Sequence, residues 1–204
     1  MDPAILIIDD DPRMRRAVSR LLGSYGYMVK VFASANEFLA QELPSGPACL
    51  ILDLKMPEIS GLDVQRVLAQ SENDLPIIFV SGQADVISSV RAMKAGAIDF
   101  LTKPFDDKDL ISAVRLALDR SQKTREERVA LKRDREAFEK LTPRERDVCV
   151  RIARGLLNKQ VGYELGTTVK TVKAQRARVM QKLGAESLAD VVRLVERLRT
   201  ARDI

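Results

Sequence analysis

Polar residues follow four short apolar runs in the first half of this 204-residue chain. Each run is short enough for a buried strand, and amphipathic segments with a helical period follow all but the last. If strands and helices alternate in a parallel sheet with right-handed crossovers, the carboxyl ends of the strands lie along one edge. That edge would carry the residues that stand at or just past the ends of the runs: Asp9, Asp10, Asp53, Ser81 and Lys103. The pattern therefore predicts one pocket with at least three carboxylates, a hydroxyl and an ammonium.

The first part of the chain predicts five β/α units. We expect strands at residues 4–8, 28–32 (the weakest), 49–52, 77–80 and 99–102. We expect helices at about residues 13–23, 35–42, 61–70, 86–95 and 107–120. Pro12 fits the first turn of the first helix, and Gly96 fits a left-handed cap that ends the fourth.

Residues 121–140 are strongly charged and contain neither Gly nor Pro. Pairs such as Lys132 and Glu136 stand at the i,i+4 spacing that supports a helix. We therefore expect a solvated helix that continues the fifth helix, and from residue 107 to 140 it would be roughly 50 Å long. Its apolar positions do not sustain a heptad, which argues against a coiled coil.

A second domain is predicted to open at Thr142. Thr142 and Glu145 stand at the spacing of a capping box, and Pro143 suits the first helical position. Helices are then expected at about residues 143–154, 159–165, 169–183 and 187–198, with Asn158, Thr168 and Ser187 as N-caps and Gly155, Gly166 and Gly184 at the breaks.

Composition excludes several classes of function. The chain has no histidine, so a Ser-His or Cys-His dyad, an imidazole metal ligand and a phosphohistidine are all excluded. Cys49 and Cys149 lack metal spacing, and we expect neither a disulfide nor zinc. No apolar stretch approaches the roughly 18 residues that span a bilayer, and the first residues are acidic where a signal peptide is basic. These features predict a soluble, cytoplasmic protein.

Charge divides the chain into two parts. Residues 1–120 contain 13 basic and 17 acidic side chains, whereas residues 121–204 contain 21 basic and 12 acidic ones. An acidic front part and a basic back part favour metal or phosphate chemistry in the first and nucleic-acid binding in the second.

The acidic pocket suits phosphoryl chemistry. Clustered carboxylates repel one another unless a cation is present, and oxygen-only ligands favour Mg²⁺ or Mn²⁺. A carboxylate beside such an ion can attack a phosphoryl group, while Lys103 neutralises the phosphoryl oxygens and Ser81 donates a hydrogen bond to one of them. The alternative, ordinary loop acids at strand ends, explains Asp9, Asp10 or Ser81 alone but not the whole ordered series.

Residues 1–120 resemble the receiver domain of two-component response regulators. The matching motifs are Ile8-Asp9-Asp10-Asp11, Leu52-Asp53-Leu54-Lys55-Met56-Pro57, Gly61, Val80-Ser81-Gly82, Ala95-Gly96-Ala97 and Phe100-Leu101-Thr102-Lys103-Pro104-Phe105. The resemblance implies that Asp53 accepts a phosphoryl group and that Asp9, Asp10, Asp53 and the Lys55 carbonyl bind the metal. It also implies that Ser81 and Phe100 are switch residues, although Phe100 is nearly as well explained as a core residue of the fifth strand.

We expect residues 169–183 to form a basic helix, and this segment contains no acidic residue. Val172, Val179, Met180 and Leu183 give it an apolar face, and the preceding helix and Gly166 complete a helix-turn-helix layout. Basic residues on one helix are usually only a solvated face, but this layout favours DNA binding. Residues 142–198 resemble the LuxR/GerE-type four-helix DNA-binding domain, in the motifs Leu141-Thr142-Pro143-Arg144-Glu145, Gly155, Asn158-Lys159, Leu165-Gly166, Lys170-Thr171-Val172-Lys173 and Lys182-Leu183-Gly184.

The resemblance implies DNA contacts along this helix, at Lys170, Thr171, Lys173, Ala174, Gln175, Arg176, Arg178 and Lys182. One position departs from the family, because Gln175 stands where histidine is common. Glutamine can hydrogen-bond adenine in the major groove, so either the base preference differs or Gln175 contacts a phosphate.

Together the two resemblances indicate the FixJ/NarL class of transcriptional regulators. They imply a flavodoxin-like, doubly wound five-stranded parallel sheet (residues 1–120), a helical linker (121–141) and an all-α four-helix helix-turn-helix domain (142–204). A sensor histidine kinase would phosphorylate Asp53. A homodimer would then form through the helix-four and strand-five face, with contacts at Val90, Arg91 and Lys94, and bind promoter DNA, with RNA polymerase as a further partner.

Two other functions are alternatives to that of a regulator. The regulator would catalyse only its own phosphorylation and dephosphorylation. A haloacid-dehalogenase-like phosphatase also uses an aspartyl nucleophile, Mg²⁺ and a lysine, but it expects a second carboxylate two residues after the nucleophile, where this chain has Lys55. A phosphate-independent DNA-binding adaptor is the other, and the intact acidic pocket argues against it.

Overall fold

The computed structural model describes residues 3–70, 75–82, 86–201 and 203. The chain forms two compact units, Met1–Arg125 and Glu126–Ile204.

The first unit is built on a five-stranded parallel sheet in the order β2-β1-β3-β4-β5. The strands are β1 (Ala4–Ile8), β2 (Met28–Phe32), β3 (Ala48–Asp53), β4 (Ile77–Ser81) and β5 (Asp99–Thr102). Each is parallel to its neighbours. The order moves outwards in both directions from β1, which is the doubly wound arrangement predicted from the sequence.

Helices of the first unit cover both faces of the sheet. They are α1 (Pro12–Ser24), α2 (Ala35–Leu39), α3 (Gly61–Gln70), α4 (Val86–Lys94) and the first part of α5 (Asp107–Glu139), which continues into the second unit after Arg125. Alternate residues of each central strand point to opposite faces. Ile5 and Ile7 pack with side chains of α1 and α5, whereas Leu6 and Ile8 pack with side chains of α2, α3 and α4. Burial on both faces explains why the central strands are continuous apolar runs.

Helix bounds agree with the sequence predictions except at α2, which ends at Leu39 although we expected it to continue to about residue 42. Phe38 is fully buried, but the residues that follow are exposed and lead to Pro44. A proline disfavours helical conformation in the residue before it, so neither burial nor local geometry extends this helix.

Two of the polar residues at the edge of the sheet, Asp53 and Ser81, are the last residues of their strands. Asp53 ends β3 and stands in register with Val80, and Ser81 ends β4 in register with Thr102. The parallel ladder therefore fixes the backbone of both residues, which brings their side chains to the same edge as the loop after β1.

The second unit contains α6 (Pro143–Ala153), α7 (Asn158–Glu164), α8 (Val169–Leu183) and α9 (Leu188–Thr200). The predicted capping box at Thr142 is present: the Glu145 N–H donates to Thr142 Oγ1 (3.3 Å) and the Thr142 N–H to Glu145 Oε2 (2.8 Å). The predicted cap at Ser187 is also present, since its hydroxyl accepts from the Asp190 N–H.

The prediction that Asn158 caps α7 is wrong. Leu157 is the N-cap, and Gln160 Oε1 accepts the Leu157 N–H at 2.8 Å. Asn158 is the first helical residue, and its Oδ1 accepts a long hydrogen bond from Arg176 Nη1 at 3.4 Å. At the start of α7, the side chain of Gln160 therefore makes the capping hydrogen bond that we expected from the side chain of Asn158.

The end of α5 is not simply solvated. Phe138 and Leu141 are buried in the core of the second unit, and Leu131 packs against it. The Asp134 side chain is only 6% exposed, and its carboxylate accepts a hydrogen bond from the Arg197 guanidinium at 2.6 Å. The last turns of this helix therefore belong to the second core, whereas the sequence predicted a solvated linker there.

Candidate functional site

The structure brings the predicted acidic residues together. Asp9 and Asp53 are buried, at 3% and 7% exposure, while Asp10 is exposed. The three residues offer carboxylate oxygens that all lie within 4.8 Å of one another. Residues separated by more than 40 positions thus form a single cluster, as expected from the parallel sheet.

Lys103 bridges two of these carboxylates. Its ammonium donates to Asp9 Oδ2 and to Asp53 Oδ2, each at 2.7 Å. Burial alone would lower the pKa of Lys103, but the hydrogen bonds to Asp53 and Asp9 outweigh it, and the pKa is raised. Burial raises the pKa of Asp9, although the hydrogen bond from Lys103 opposes that rise. The ammonium therefore stays charged and holds the cluster together.

Backbone groups orient both buried carboxylates. The Asp11 N–H donates to Asp9 Oδ1 at 2.8 Å, and the Lys55 N–H donates to Asp53 Oδ1 at 3.0 Å. Gly61 starts α3 directly against Asp53, since a Cβ at this position would lie 2.4 Å from the Asp53 carbonyl oxygen. Only glycine fits there, which gives a physical reason for the Gly61 of the sequence motif.

The donor set fits a hard divalent cation. Its side-chain ligands are oxygens only, and the chain contains no histidine. Mg²⁺ and Mn²⁺ prefer such ligands. The pocket can hold a divalent metal ion, and the cation would offset the repulsion between the carboxylates.

The predicted switch residues lie beside this pocket. Ser81 is fully buried, and its carbonyl accepts the Lys103 N–H at 2.8 Å. Phe100 is half-buried and stacks on Phe79, with ring centroids 6.1 Å apart. Phe100 therefore packs against the core on the α4 side of the sheet, as expected for a core residue of β5. Its role as a switch residue stays a prediction.

The predicted dimer face is exposed. Val90 is nearly half exposed, and Arg91 and Lys94 are exposed on the same helix, α4. Three further apolar residues of α4 are also exposed, namely Val86, Ile87 and Met93. Their apolar character was visible in the sequence, but they fit equally well into the buried stripe of an amphipathic helix.

Most of the predicted DNA-contacting residues lie on the exposed side of α8. Val172, Val179 and Leu183 are buried, as predicted. The residues that share the exposed side are Lys170, Thr171, Lys173, Ala174 and Arg178. Gln175 and Arg176 are half-buried. Ala177 and Gln181 are exposed too, and counting at 3.6 residues per turn from Val172 would have placed them opposite the buried stripe.

Lys182 differs from the other basic residues of α8. Its ammonium donates to Glu145 Oε2 at 2.7 Å and to the Lys140 carbonyl at 3.2 Å. Glu145 is buried, so this lysine compensates a buried negative charge. The arrangement favours a structural role for Lys182 over the DNA contact suggested by the sequence.

Within the described ranges, no helix is both long enough and apolar enough to cross a membrane.

Two family models match the chain. The model of the response regulator receiver domain matches residues 5–115, and that of the luxR family of bacterial regulatory proteins matches residues 139–195. The first range contains the whole acidic pocket, and the second contains α6, α7 and α8 with most of α9.

Similar proteins match both parts at once. Nodulation protein W of Bradyrhizobium diazoefficiens is 45% identical over 194 residues, which cover 95% of this chain and 86% of that protein. The transcriptional regulatory protein FixJ of Azorhizobium caulinodans is 39% identical over 188 residues, with 92% and 89% covered. Among solved structures, the response regulator StyR matches with a TM-score of 0.84 and 40% identity over 97% of this chain and all of that one.

Proposed function

The chain belongs to the FixJ/NarL class of two-component response regulators, and on that premise we propose that phosphorylation of Asp53 controls it. It is a transcriptional regulator in which a receiver domain is joined to a LuxR-type DNA-binding domain. A receiver domain implies a histidine kinase as partner, and a LuxR-type domain implies DNA. We propose in addition the phosphoacceptor, the metal ion, the dimer face and the DNA contacts.

The position of Asp53 carries the proposal. It is the last residue of β3, and Lys103 and the Lys55 N–H each hold one of its carboxylate oxygens. The other two acids lie in the loop after β1, where they are suited to bind a cation rather than to react. Among the three acids, Asp53 is therefore the one best placed as the nucleophile.

The proposed reaction is a phosphoryl transfer. An Asp53 carboxylate oxygen attacks the phosphorus of a phosphohistidine on the kinase, so that an O–P bond forms as the P–N bond breaks. The P–N electron pair goes to the ring nitrogen, and the partner's histidine leaves as neutral imidazole with a proton taken up from water. The donor histidine must belong to the partner, because this chain has none. Lys103 pairs with the charge on the phosphoryl oxygens, and the Ser81 hydroxyl donates a hydrogen bond to one of them.

We propose that the metal ion is Mg²⁺ or Mn²⁺, held by Asp9, Asp10, Asp53 and the Lys55 carbonyl. When bound, the ion supplies positive charge that stabilises the phosphoryl oxygens during transfer. We propose no other substrate for this pocket, so catalysis would be limited to phosphorylation and dephosphorylation of the chain itself.

The proposed response passes through the edge of the sheet that carries Ser81 and Phe100. The Ser81 carbonyl accepts the Lys103 N–H, so a change at the phosphoryl group would act on the ends of β4 and β5, and β5 packs against α4. The exposed side chains of α4, with Val90, Arg91 and Lys94 among them, then form the homodimer face.

For DNA binding we propose that the exposed face of α8 enters the major groove. Lys170, Thr171, Lys173, Ala174, Arg176 and Arg178 would contact the DNA, and Gln175 would help to choose the base. Lys182 is left out because Glu145 engages it. We propose the cytoplasm as the location and RNA polymerase as a further partner, since promoter DNA is the target.

The decisive experiment is mass spectrometry after incubation with acetyl phosphate and Mg²⁺. We expect an adduct of about 80 Da on the wild type and none on Asp53→Asn. Asp63→Asn is the matched control, since Asp63 is a half-buried acid on α3 outside the carboxylate cluster and should leave the adduct intact. An undiminished adduct on Asp53→Asn would show that another residue accepts the phosphoryl group.

A further inference from the structure

Arg15 lies one turn into α1, next to the acidic pocket but outside its set of carboxylates. Its Nη1 donates to the Asp9 carbonyl oxygen at 2.5 Å, and its backbone N–H donates to the Asp11 carbonyl oxygen at 3.1 Å. We propose that Arg15 is a positioning residue for the divalent-metal site. It holds the peptide between Asp9 and Asp10 so that the Asp10 carboxylate faces the pocket. This inference rests on the proposed function of the pocket as a metal site.

The loop that carries Asp9 and Asp10 leads directly into the capped first turn of α1. Pro12 starts α1, and the Asp11 carboxylate accepts the Arg13 N–H at 2.8 Å. Arg15 adds the bond that reaches back past this cap to the Asp9 carbonyl. Because the first turn of α1 is fixed by its proline and its cap, Arg15 can transmit that fixed position to the loop.

Asp9 and Asp10 differ in how their side chains are held. Both carboxylate oxygens of Asp9 accept hydrogen bonds, one from Asp11 and one from Lys103. Asp10 is exposed, and in the described part of the chain no hydrogen bond or ion pair holds its carboxylate. The direction of the Asp10 side chain therefore depends on its backbone, and the peptide that precedes it is the one that Arg15 holds.

A purely electrostatic effect of Arg15 has the opposite sign. A guanidinium beside three carboxylates repels a divalent cation, so its removal would tighten metal binding. Loss of positioning would weaken binding, because Asp10 would no longer be held in place before the ion arrives. The sign of the change in affinity thus distinguishes positioning from charge.

The test measures binding of Mn²⁺ to the full chain by the electron paramagnetic resonance signal of the free ion. We expect Arg15→Met to weaken Mn²⁺ binding by about tenfold. Arg15→Lys keeps the charge but loses one bond of reach and the planar fork, and we expect at least about a threefold loss. Arg16→Met is the charge-matched control: Arg16 is the exposed neighbour on α1, so its loss should leave the affinity unchanged or raise it slightly.

The change in Mn²⁺ affinity decides whether Arg15 positions the metal site. Unchanged or tighter binding by Arg15→Met or Arg15→Lys overturns the positioning role, and weaker binding by both supports it. Circular dichroism and thermal unfolding without divalent ions report whether each variant folds, and Arg15→Lys alone decides the matter if Arg15→Met unfolds. If the wild type itself fails to bind Mn²⁺, the proposed metal site is wrong, which is a different failure from that of Arg15.

Discussion

Replacing Lys182 by methionine should destabilise the second unit more than it disturbs contacts with DNA. Glu145 is buried with a side-chain exposure of 5%, and its Oε2 accepts hydrogen bonds from Lys182 Nζ and the Thr142 N–H. The hydrogen bond from Lys182, followed by that from Thr142, lowers the pKa of Glu145 from 4.5 to about 2. The substitution would leave this carboxylate buried without its cation.

The magnitude follows from the pKa of Glu145. At about 1.4 kcal/mol per pH unit, a change from 4.5 to about 2 corresponds to at most about 3.5 kcal/mol of stabilisation, shared by Lys182 and Thr142. The Lys182 side chain is 36% exposed, so water screens its share. We therefore expect Lys182→Met to cost about 1–2 kcal/mol of the free energy of unfolding.

Hydrogen exchange with mass spectrometry on the full chain at pH 7 measures this effect locally. Peptides from α6 and α8 should lose protection by about fivefold to thirtyfold in Lys182→Met. Arg178→Met is the matched control, because Arg178 is an exposed basic residue of the same helix, and it should change protection by less than about twofold. Unchanged protection together with weaker DNA binding by Lys182→Met would refute the structural role and restore the DNA contact.

The pH dependence has a definite sign. The pKa of Glu145 is lower in the folded chain than in the unfolded chain, so its stabilisation is complete above about pH 4.5 and decreases as the pH falls towards 2. The difference in melting temperature between the wild type and Glu145→Gln should therefore shrink by roughly half between pH 5 and pH 3. A difference that stays constant over this range would contradict the lowered pKa.

Arg197→Met should leave the buried Asp134 carboxylate without its partner and cost about 2 kcal/mol, measured by hydrogen exchange in α9; no loss of protection would contradict the buried ion pair. Lys94→Glu should reduce a phosphate-dependent rise in mass on sedimentation, whereas a stable dimer without phosphate would exclude the α4 face as the switch. Lys173→Ala should weaken binding to all duplexes alike and reduce the salt slope by about one unit, measured by titration over a salt series. Gln175→Ala should cost roughly 1–3 kcal/mol on the preferred site only, and equal losses on a scrambled duplex would reduce Gln175 to a phosphate contact.

The sheet and most helices could be predicted because their signals are local. Continuous apolar runs mark strands buried on both faces, and Thr142 with Glu145 marks a helix start within four residues. Asp134 shows the limit of such signals. Its charge suggests a solvated helix, but Arg197, the residue that permits its burial, lies 63 positions away. No local pattern connects the two residues.

The same limit applies to the functional residues. Convergence of Asp9 and Asp53 follows from the rule that parallel strands end at one edge, so the sequence was sufficient to predict it. That Lys182 is engaged by Glu145 depends on packing between α6 and α8, which the sequence does not show. A basic residue on a basic helix looks the same whether it contacts DNA or a buried acid of its own domain.

Under the proposed function, a phosphoryl group at Asp53 would change the balance of charge in the acidic pocket. The three carboxylates and the Lys103 ammonium leave a net charge of −2, which a bound divalent ion would neutralise. A phosphoryl group would replace one carboxylate charge by about −1.5 to −2, so the balance around Lys103 changes. The backbone N–H of Lys103 is bonded to the Ser81 carbonyl, and this joins the ends of β5 and β4. Under the proposed function, a new partner for the Lys103 ammonium would act on the end of β5, which packs against α4, the helix of the proposed dimer face.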